Sequence, residues 1–124
     1  MGMKVNGSTG LTFPDNTTMV TGAQAVRAWV NFNGTGTVAI RASYNVTSIT
    51  DNGTGVYTVN FTIAMIDTNY CVTSFENGNN DTIVTSADRN TYSITSTSSV
   101  TLRSIRPSDG AAVDNALVSV AIFR

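Results

Sequence analysis

Period-two alternation of apolar and polar residues recurs along this chain, and helical periodicity does not. The clearest stretch runs from Val56 to Met65. Tyr57, Val59, Phe61, Ile63 and Met65 fall on one face, with Thr58, Asn60 and Thr62 on the other, the pattern of a half-buried strand. A slip of one residue would move the large apolar groups into water, so the register is well determined. Ahead of it, Val38, Ile40, Ala42, Tyr44 and Val46 share one face and Arg41, Ser43 and Asn45 the opposite one. Further upstream, Ala28, Val30 and Phe32 alternate with Trp29 and Asn31. Strands are also predicted over 70–75, 82–86, 91–96, 99–105 and 116–123. The last alternates Val118, Val120 and Ile122 with Ser119 and Ala121, and such a strand must pair inside a sheet.

Turn chemistry divides these segments. Asn33-Gly34-Thr35-Gly36 and Asp51-Asn52-Gly53-Thr54-Gly55 read as hairpin tips, because Asn-Gly supplies the positive φ that tight hairpins need. No helical pattern follows either one, which argues against a phosphate-cradling loop. Glu76 to Asp81 reads as a polar loop and Arg106 to Gly110 as a turn. Residues 1–23 differ: Gly, Ser, Thr and Asn predominate, with Leu11, Phe13, Met19 and Val20 scattered among them. This segment has too little apolar content for a core and is expected to be an extended N-terminal arm or linker. The chain is therefore expected to be all-β, an antiparallel β-sandwich or jelly roll over 24–124 preceded by that arm. Missing crossover helices exclude a parallel α/β fold.

Composition sharpens this picture by exclusion. Lys+Arg 7 against Asp+Glu 8 leaves a net charge of -1, with no basic footprint for nucleic acid or for an anionic membrane. No apolar run reaches the length of a membrane span, and Met1 to Asn6 contains no signal-peptide core. Charged residues are 12%, about half the usual share, and Thr, Ser and Asn carry the polarity instead. Seven Asn-x-Ser/Thr sequons follow from that composition; one of them, Asn60, lies inside the clearest strand, so a bacterial or viral source fits better than a glycosylated one.

Candidate chemistry is sparse. His is absent and Cys71 is alone, which removes imidazole acid–base catalysis, Cys–His and Ser–His nucleophiles and Cys/His zinc sites. Cys71, between Tyr70 and Val72, is expected to be a small core hydrophobe. The carboxylates Asp15, Asp51, Asp67, Glu76, Asp81, Asp88, Asp109 and Asp114 sit nearly all in predicted turns, where Asp mostly caps backbone. Glycoside hydrolysis would need two of them across one cleft. The loops 51–54 and 76–81 offer several oxygens each but lack EF-hand spacing, so neither a metal nor a cofactor is expected. Saccharide binding stays open, since planar polar side chains and aromatic rings are plentiful. Trp29, Tyr44 and Tyr57 are expected in or against the core, and Tyr92, beside Arg89 and Asn90, at the surface.

The strings Trp29-Val30-Asn31-Phe32-Asn33-Gly34-Thr35-Gly36, Ile40-Arg41-Ala42-Ser43-Tyr44-Asn45-Val46, Ser48-Ile49-Thr50-Asp51-Asn52-Gly53-Thr54-Gly55 and Tyr57-Thr58-Val59-Asn60-Phe61 together resemble a C-terminal module of tailed-phage tail-fibre proteins. The closing Val118-Ser119-Val120-Ala121-Ile122-Phe123 is similar to the end of that module, and Leu11-Thr12-Phe13-Pro14-Asp15-Asn16-Thr17-Thr18 to a short element common in phage fibres. The resemblance implies a non-enzymatic virion structural protein, a homotrimeric fibre tip that contacts a glycan or protein on the host surface. Its arm would meet other virion proteins. Fibre proteins usually place shaft and attachment regions ahead of this module, whereas here the arm precedes it. A capsid decoration or cement protein is therefore the first alternative, and a stand-alone carbohydrate-binding module the second. Receptor contact is expected from loops at one end of the sandwich. Asn77, Asn79, Asn80, Asp81, Arg89 and Tyr92 are the candidate receptor-binding residues, because their stretch is the most polar and least patterned in the chain.

Overall fold

The computed structural model describes residues 4–6, 10–12, 18–19, 26–77, 92–94, 96–106 and 109–124. Within 26–124 it is a sandwich of two four-stranded antiparallel sheets. β4 (Val26–Asn33), β5 (Ala39–Tyr44), β8 (Cys71–Asn77) and β11 (Leu117–Phe123) form the first sheet in the order β5-β4-β11-β8. β6 (Val46–Asp51), β7 (Val56–Phe61), β9 (Tyr92–Ser93) and β10 (Ser99–Arg103) form the second in the order β6-β7-β10-β9. No helix of the described residues is long and apolar enough to cross a membrane.

Alternation translates directly into the core. Ala28, Val30 and Phe32 of β4 and Val118, Val120 and Ile122 of β11 are buried from the first sheet. Tyr57, Val59 and Phe61 of β7 and Val100 and Leu102 of β10 meet them from the second. Two edge-to-face ring pairs, Phe32–Tyr57 at 5.2 Å and Phe61–Tyr70 at 5.8 Å, join this core. Both predicted hairpin tips are present, linking β4 to β5 and β6 to β7, with positive φ at Gly36, Gly53 and Gly55.

Three expectations are corrected here. The run 38–46 is not one strand. Asn45 adopts a left-handed φ of 55°, and there the chain leaves the first sheet and enters the second. Its amide holds that corner: Nδ2 donates to the carbonyls of Arg27 (2.9 Å) and Ile63 (3.1 Å), and Oδ1 accepts from the Ile63 N–H (2.7 Å). β5 is a sheet-edge strand with every residue exposed, so Tyr44 stands in solvent rather than in the core. The strand 56–65 likewise ends at Phe61, because the next backbone groups are captured by loops: Thr62 N–H by the Asn45 carbonyl and Met65 N–H by the Thr97 carbonyl. Met65 returns to the core and Ile63 does not. Cys71 is exposed, since β8 turns Val72 and Ser74 inward and puts Cys71 in the outward phase.

Ahead of the sandwich, β1 (Lys4–Asn6), β2 (Gly10–Thr12) and β3 (Thr18–Met19) pair into a small antiparallel sheet of their own. The arm thus contains local strand pairing where only an extended segment was expected. The predicted strand 82–86 lies outside the described residues.

Candidate functional site

The two outer faces of the sandwich differ sharply in chemistry. On the second sheet, hydroxyl and amide side chains satisfy one another. Asn60 Nδ2 donates to Ser48 Oγ (3.1 Å) and Thr50 Oγ1 (2.9 Å), Thr58 and Thr101 hydroxyls meet at 2.9 Å, and Asn52 Nδ2 donates to Thr58 Oγ1 at 2.9 Å. On the first sheet, the register sets Tyr44, Trp29, Ala121 and Thr73 in one cross-strand row and Ala42, Asn31, Ser119 and Phe75 in the next. Trp29 is 40% exposed and Phe75 41%. Between them lies a shallow, mainly apolar groove of about 270 Å³ over Ser119 and Ala121, edged by Asn31, whose Nδ2 donates to Ser119 Oγ at 2.8 Å, and by Thr73. Trp29 is therefore not in the core as its size suggested. Ala28 and Val30 take the inward phase, and the pleat leaves Trp29 no choice but the outer face.

The candidate receptor loop is reached by the structure at its two ends only. Asn77 closes β8 and Tyr92 opens β9, which are edge strands of different sheets. Asn79, Asn80, Asp81 and Arg89 lie outside the described residues.

Every described carboxylate is engaged in structure. Asp51 Oδ1 accepts from Gly53 N–H at 2.9 Å, closing the hairpin tip, and Asp109 caps Ala111 N–H at 3.0 Å while pairing with Arg106 at 2.8 Å. Asp67 takes a two-pronged bond from the guanidinium of Arg124, at 2.9 and 2.6 Å, which with the Asn69 N–H holds its pKa down to about 2. Asp114 Oδ1 accepts from Gly55 N–H (2.6 Å) and from the hydroxyl of Tyr57 (2.8 Å). Burial first, then that carboxylate, pushes the Tyr57 hydroxyl well above its ordinary range. Among the described residues no three His, Cys, Asp or Glu side chains gather as a metal site.

Glu76, expected in a solvated loop, instead ends in a polar cluster at the sandwich end. Its Oε2 accepts from Ser104 Oγ (2.5 Å) and Asn115 Nδ2 (3.1 Å), while Asn115 Nδ2 also lies 2.6 Å from Ser104 Oγ. Oε1 is buried without a hydrogen-bond partner among the described residues. Nothing in local sequence pattern signals this cluster, because Ser104 and Asn115 are 28 and 39 residues away along the chain.

Desolvation raises the Glu76 pKa above its ordinary 4.5, against the smaller lowering by Ser104 and Asn115. Raising a carboxyl group's folded-state value means that its contribution to stability is fully present below 4.5 and declines as pH rises through the raised value. Asp67 and Asp109 act oppositely and lower down, losing their contribution as pH falls below 3.8. Between mild acid and neutrality the Glu76→Gln variant is accordingly expected to lose less thermal stability than the parent, since the amide oxygen keeps both hydrogen bonds without burying charge. Melting curves at stepped pH values check this, and equal slopes for the two proteins would refute it.

Neither protein-family models nor curated protein sequences nor solved structures give a match to this chain. The class defined by the structure is thus an all-β sandwich of two antiparallel sheets, and function is argued from its surfaces.

Proposed function

We propose that this chain is a non-enzymatic structural protein of a phage virion, a homotrimeric tail-fibre tip domain that binds glycan on the host surface. The observation that carries the glycan reading is the groove between Trp29 and Phe75. Two exposed rings flank a floor of small side chains, with amide and hydroxyl groups of Asn31, Ser119 and Thr73 at its borders. Saccharides present apolar C–H faces to rings and hydroxyls to amides, so this combination suits them. On the opposite sheet face the described polar side chains of β6, β7 and β10 bond to one another instead. Engagement of all described carboxylates in capping, pairing or buried bonds favours recognition over hydrolysis. The virion setting rests on the resemblance of residues 29–61 and 118–123 to fibre modules.

The test is retention on an array of bacterial surface polysaccharides. Wild-type protein is expected to bind a subset of them, and Trp29→Ala or Phe75→Ala to weaken that binding roughly tenfold, the ~1.4 kcal/mol of one lost stacked ring, while each variant stays cooperatively folded at the assay temperature. Arg89→Ala combined with Tyr92→Ala serves as the comparison for the 77–92 segment. Unchanged binding in the ring variants with loss in the loop variant would move the site to that segment. Failure to retain any polysaccharide would remove the glycan reading. Antibody labelling of particles separates fibre tip from capsid decoration.

A further inference from the structure

We infer that the cleft beside the β5–β6 corner receives the small sheet β1–β3 of the N-terminal arm of a second copy of this chain. The inference rests on the homo-oligomeric part of the reading above and names the surfaces that would build it. The cleft has a volume of about 460 Å³ and lies between the start of β4 (Val26, Arg27), the corner (Tyr44, Asn45) and the segment 62–66. Its rim holds the two most exposed large apolar side chains among the described residues, Ile63 at 72% and Ile66 at 80%, together with Val26 and Tyr44. Scattered exposed apolar residues are ordinary, but four around one cleft make a patch.

That patch is held in place by its backbone. Ile63 is fixed at N–H and carbonyl by the Asn45 amide, and between the two isoleucines Met65 is anchored in the core with its N–H on the Thr97 carbonyl. The isoleucines are thus presented to solvent by a bonded segment.

The arm supplies the complementary half. Its register sets Val5, Leu11 and Met19 in a single row across β1, β2 and β3, flanked by Lys4, Thr12 and Thr18. Strands of three, three and two residues cannot stabilise a sheet alone and need an apolar partner surface. Among the described residues these strands pair with one another and with no strand of either sandwich sheet. Charge does not oppose docking, since residues 4–19 carry Lys4 and Asp15 and the cleft only Arg27. Because Val26 is both a cleft wall and the first described residue after the arm, passing each arm to the next copy repeats one heterologous contact, which forms a ring when the rotation between copies closes.

The test mixes two full-length chains, both carrying Cys71→Ser: an untagged Leu11→Cys chain and a mass-tagged Ile66→Cys chain. The expected result is a hybrid disulfide formed at least roughly tenfold faster than with a Ser48→Cys control on the opposite sheet face, because docking raises effective concentration. In parallel, Ile63→Asp combined with Ile66→Asp is expected to reduce the native mass to the 13.1 kDa of one chain while the sandwich still melts cooperatively. Hybrid formation no faster than the control, or an aspartate variant that stays oligomeric, overturns this interface while leaving homo-oligomerisation standing. Rapid disulfide formation within a single chain bearing both cysteines but not between mixed chains overturns it in favour of the arm folding onto its own cleft. A wild-type chain that runs at one chain's mass overturns the interface and the homotrimer together.

Discussion

Deleting Ala121–Arg124 is expected to abolish cooperative folding, although only four residues are lost. β11 is an interior strand of its sheet, paired on one side with β4 and on the other with β8. The deletion removes Ala121 from between Trp29 and Thr73, Ile122 from between Ala28 and Val72, and Phe123 from between Val26 and Cys71. Both neighbours are left with unpaired backbone groups, and each one that stays buried costs about 1–3 kcal/mol. Ile122 is fully buried, and losing such a side chain costs about 2–5 kcal/mol by itself. The bidentate Arg124–Asp67 pair disappears as well. These losses together reach the whole stability of a domain this size, about 5–15 kcal/mol. Circular dichroism during heating reads the outcome. The point variant Ile122→Ala should retain a cooperative transition lowered by the cavity cost alone. A soluble truncated chain with a sharp melt would show that β11 is not needed to close the first sheet.

The second large effect is expected at a single methyl group. Gly55 sits at the end of the β6–β7 hairpin with φ at 67°. Its N–H donates to Asp114 Oδ1 at 2.6 Å and its carbonyl accepts from Ser104 N–H at 2.7 Å. A Cβ there would stand 2.6 Å from the Ser104 carbonyl oxygen and 2.8 Å from the Val113 nitrogen. Both are backbone atoms that cannot rotate away, and Ser104 itself carries the polar cluster with Glu76 and Asn115. Gly55→Ala therefore combines a left-handed backbone penalty of about 1–2 kcal/mol with displacement of two chain segments. A total of about 3–5 kcal/mol is expected from denaturant midpoints. Gly36, with a nearly equal φ of 61° and nothing within 4 Å of its Cβ position, isolates the backbone part. Its alanine variant is expected to lose only about 1–2 kcal/mol. Equal losses at the two positions would mean that the crowding at Gly55 relaxes freely.

Both predictions concern places where distant segments meet, and the readability of this chain divides along the same line. The pleat makes side-chain direction a local property, so the inward members of β4, β7 and β11 are legible from alternation. The tips at Gly36 and Gly53 were legible because positive φ selects glycine. Where residue identity was set against phase, phase prevailed. Apolar character alone places Trp29 and Cys71 inward, and the strands that carry them turn both outward. For Trp29 the alternation with Ala28 and Val30 already contained the answer.

At 38–46 alternation itself misled, because a perfect period of two says nothing about whether a facing sheet covers the strand. Asn45 ends the run by a backbone conformation that Asn tolerates and by three hydrogen bonds to Arg27 and Ile63. The first of those partners precedes it by 18 residues and the second follows it by 18, beyond any local window.

The amino-acid sequence by itself determined that this chain is all-β, which residues alternate, where the chain must reverse and which catalytic chemistries lack their side chains. Those properties follow from covalent structure and from interactions between near neighbours. Only the tertiary structure decided which strands lie at sheet edges, which outer face keeps unused aromatic surface, and that Glu76, Ser104 and Asn115 converge. It also decided that Ile63 and Ile66 rim a cleft beside the point where the arm departs. Such features depend on which segments, dozens of residues apart, are pressed together by burial of a shared core, and no local pattern encodes that choice.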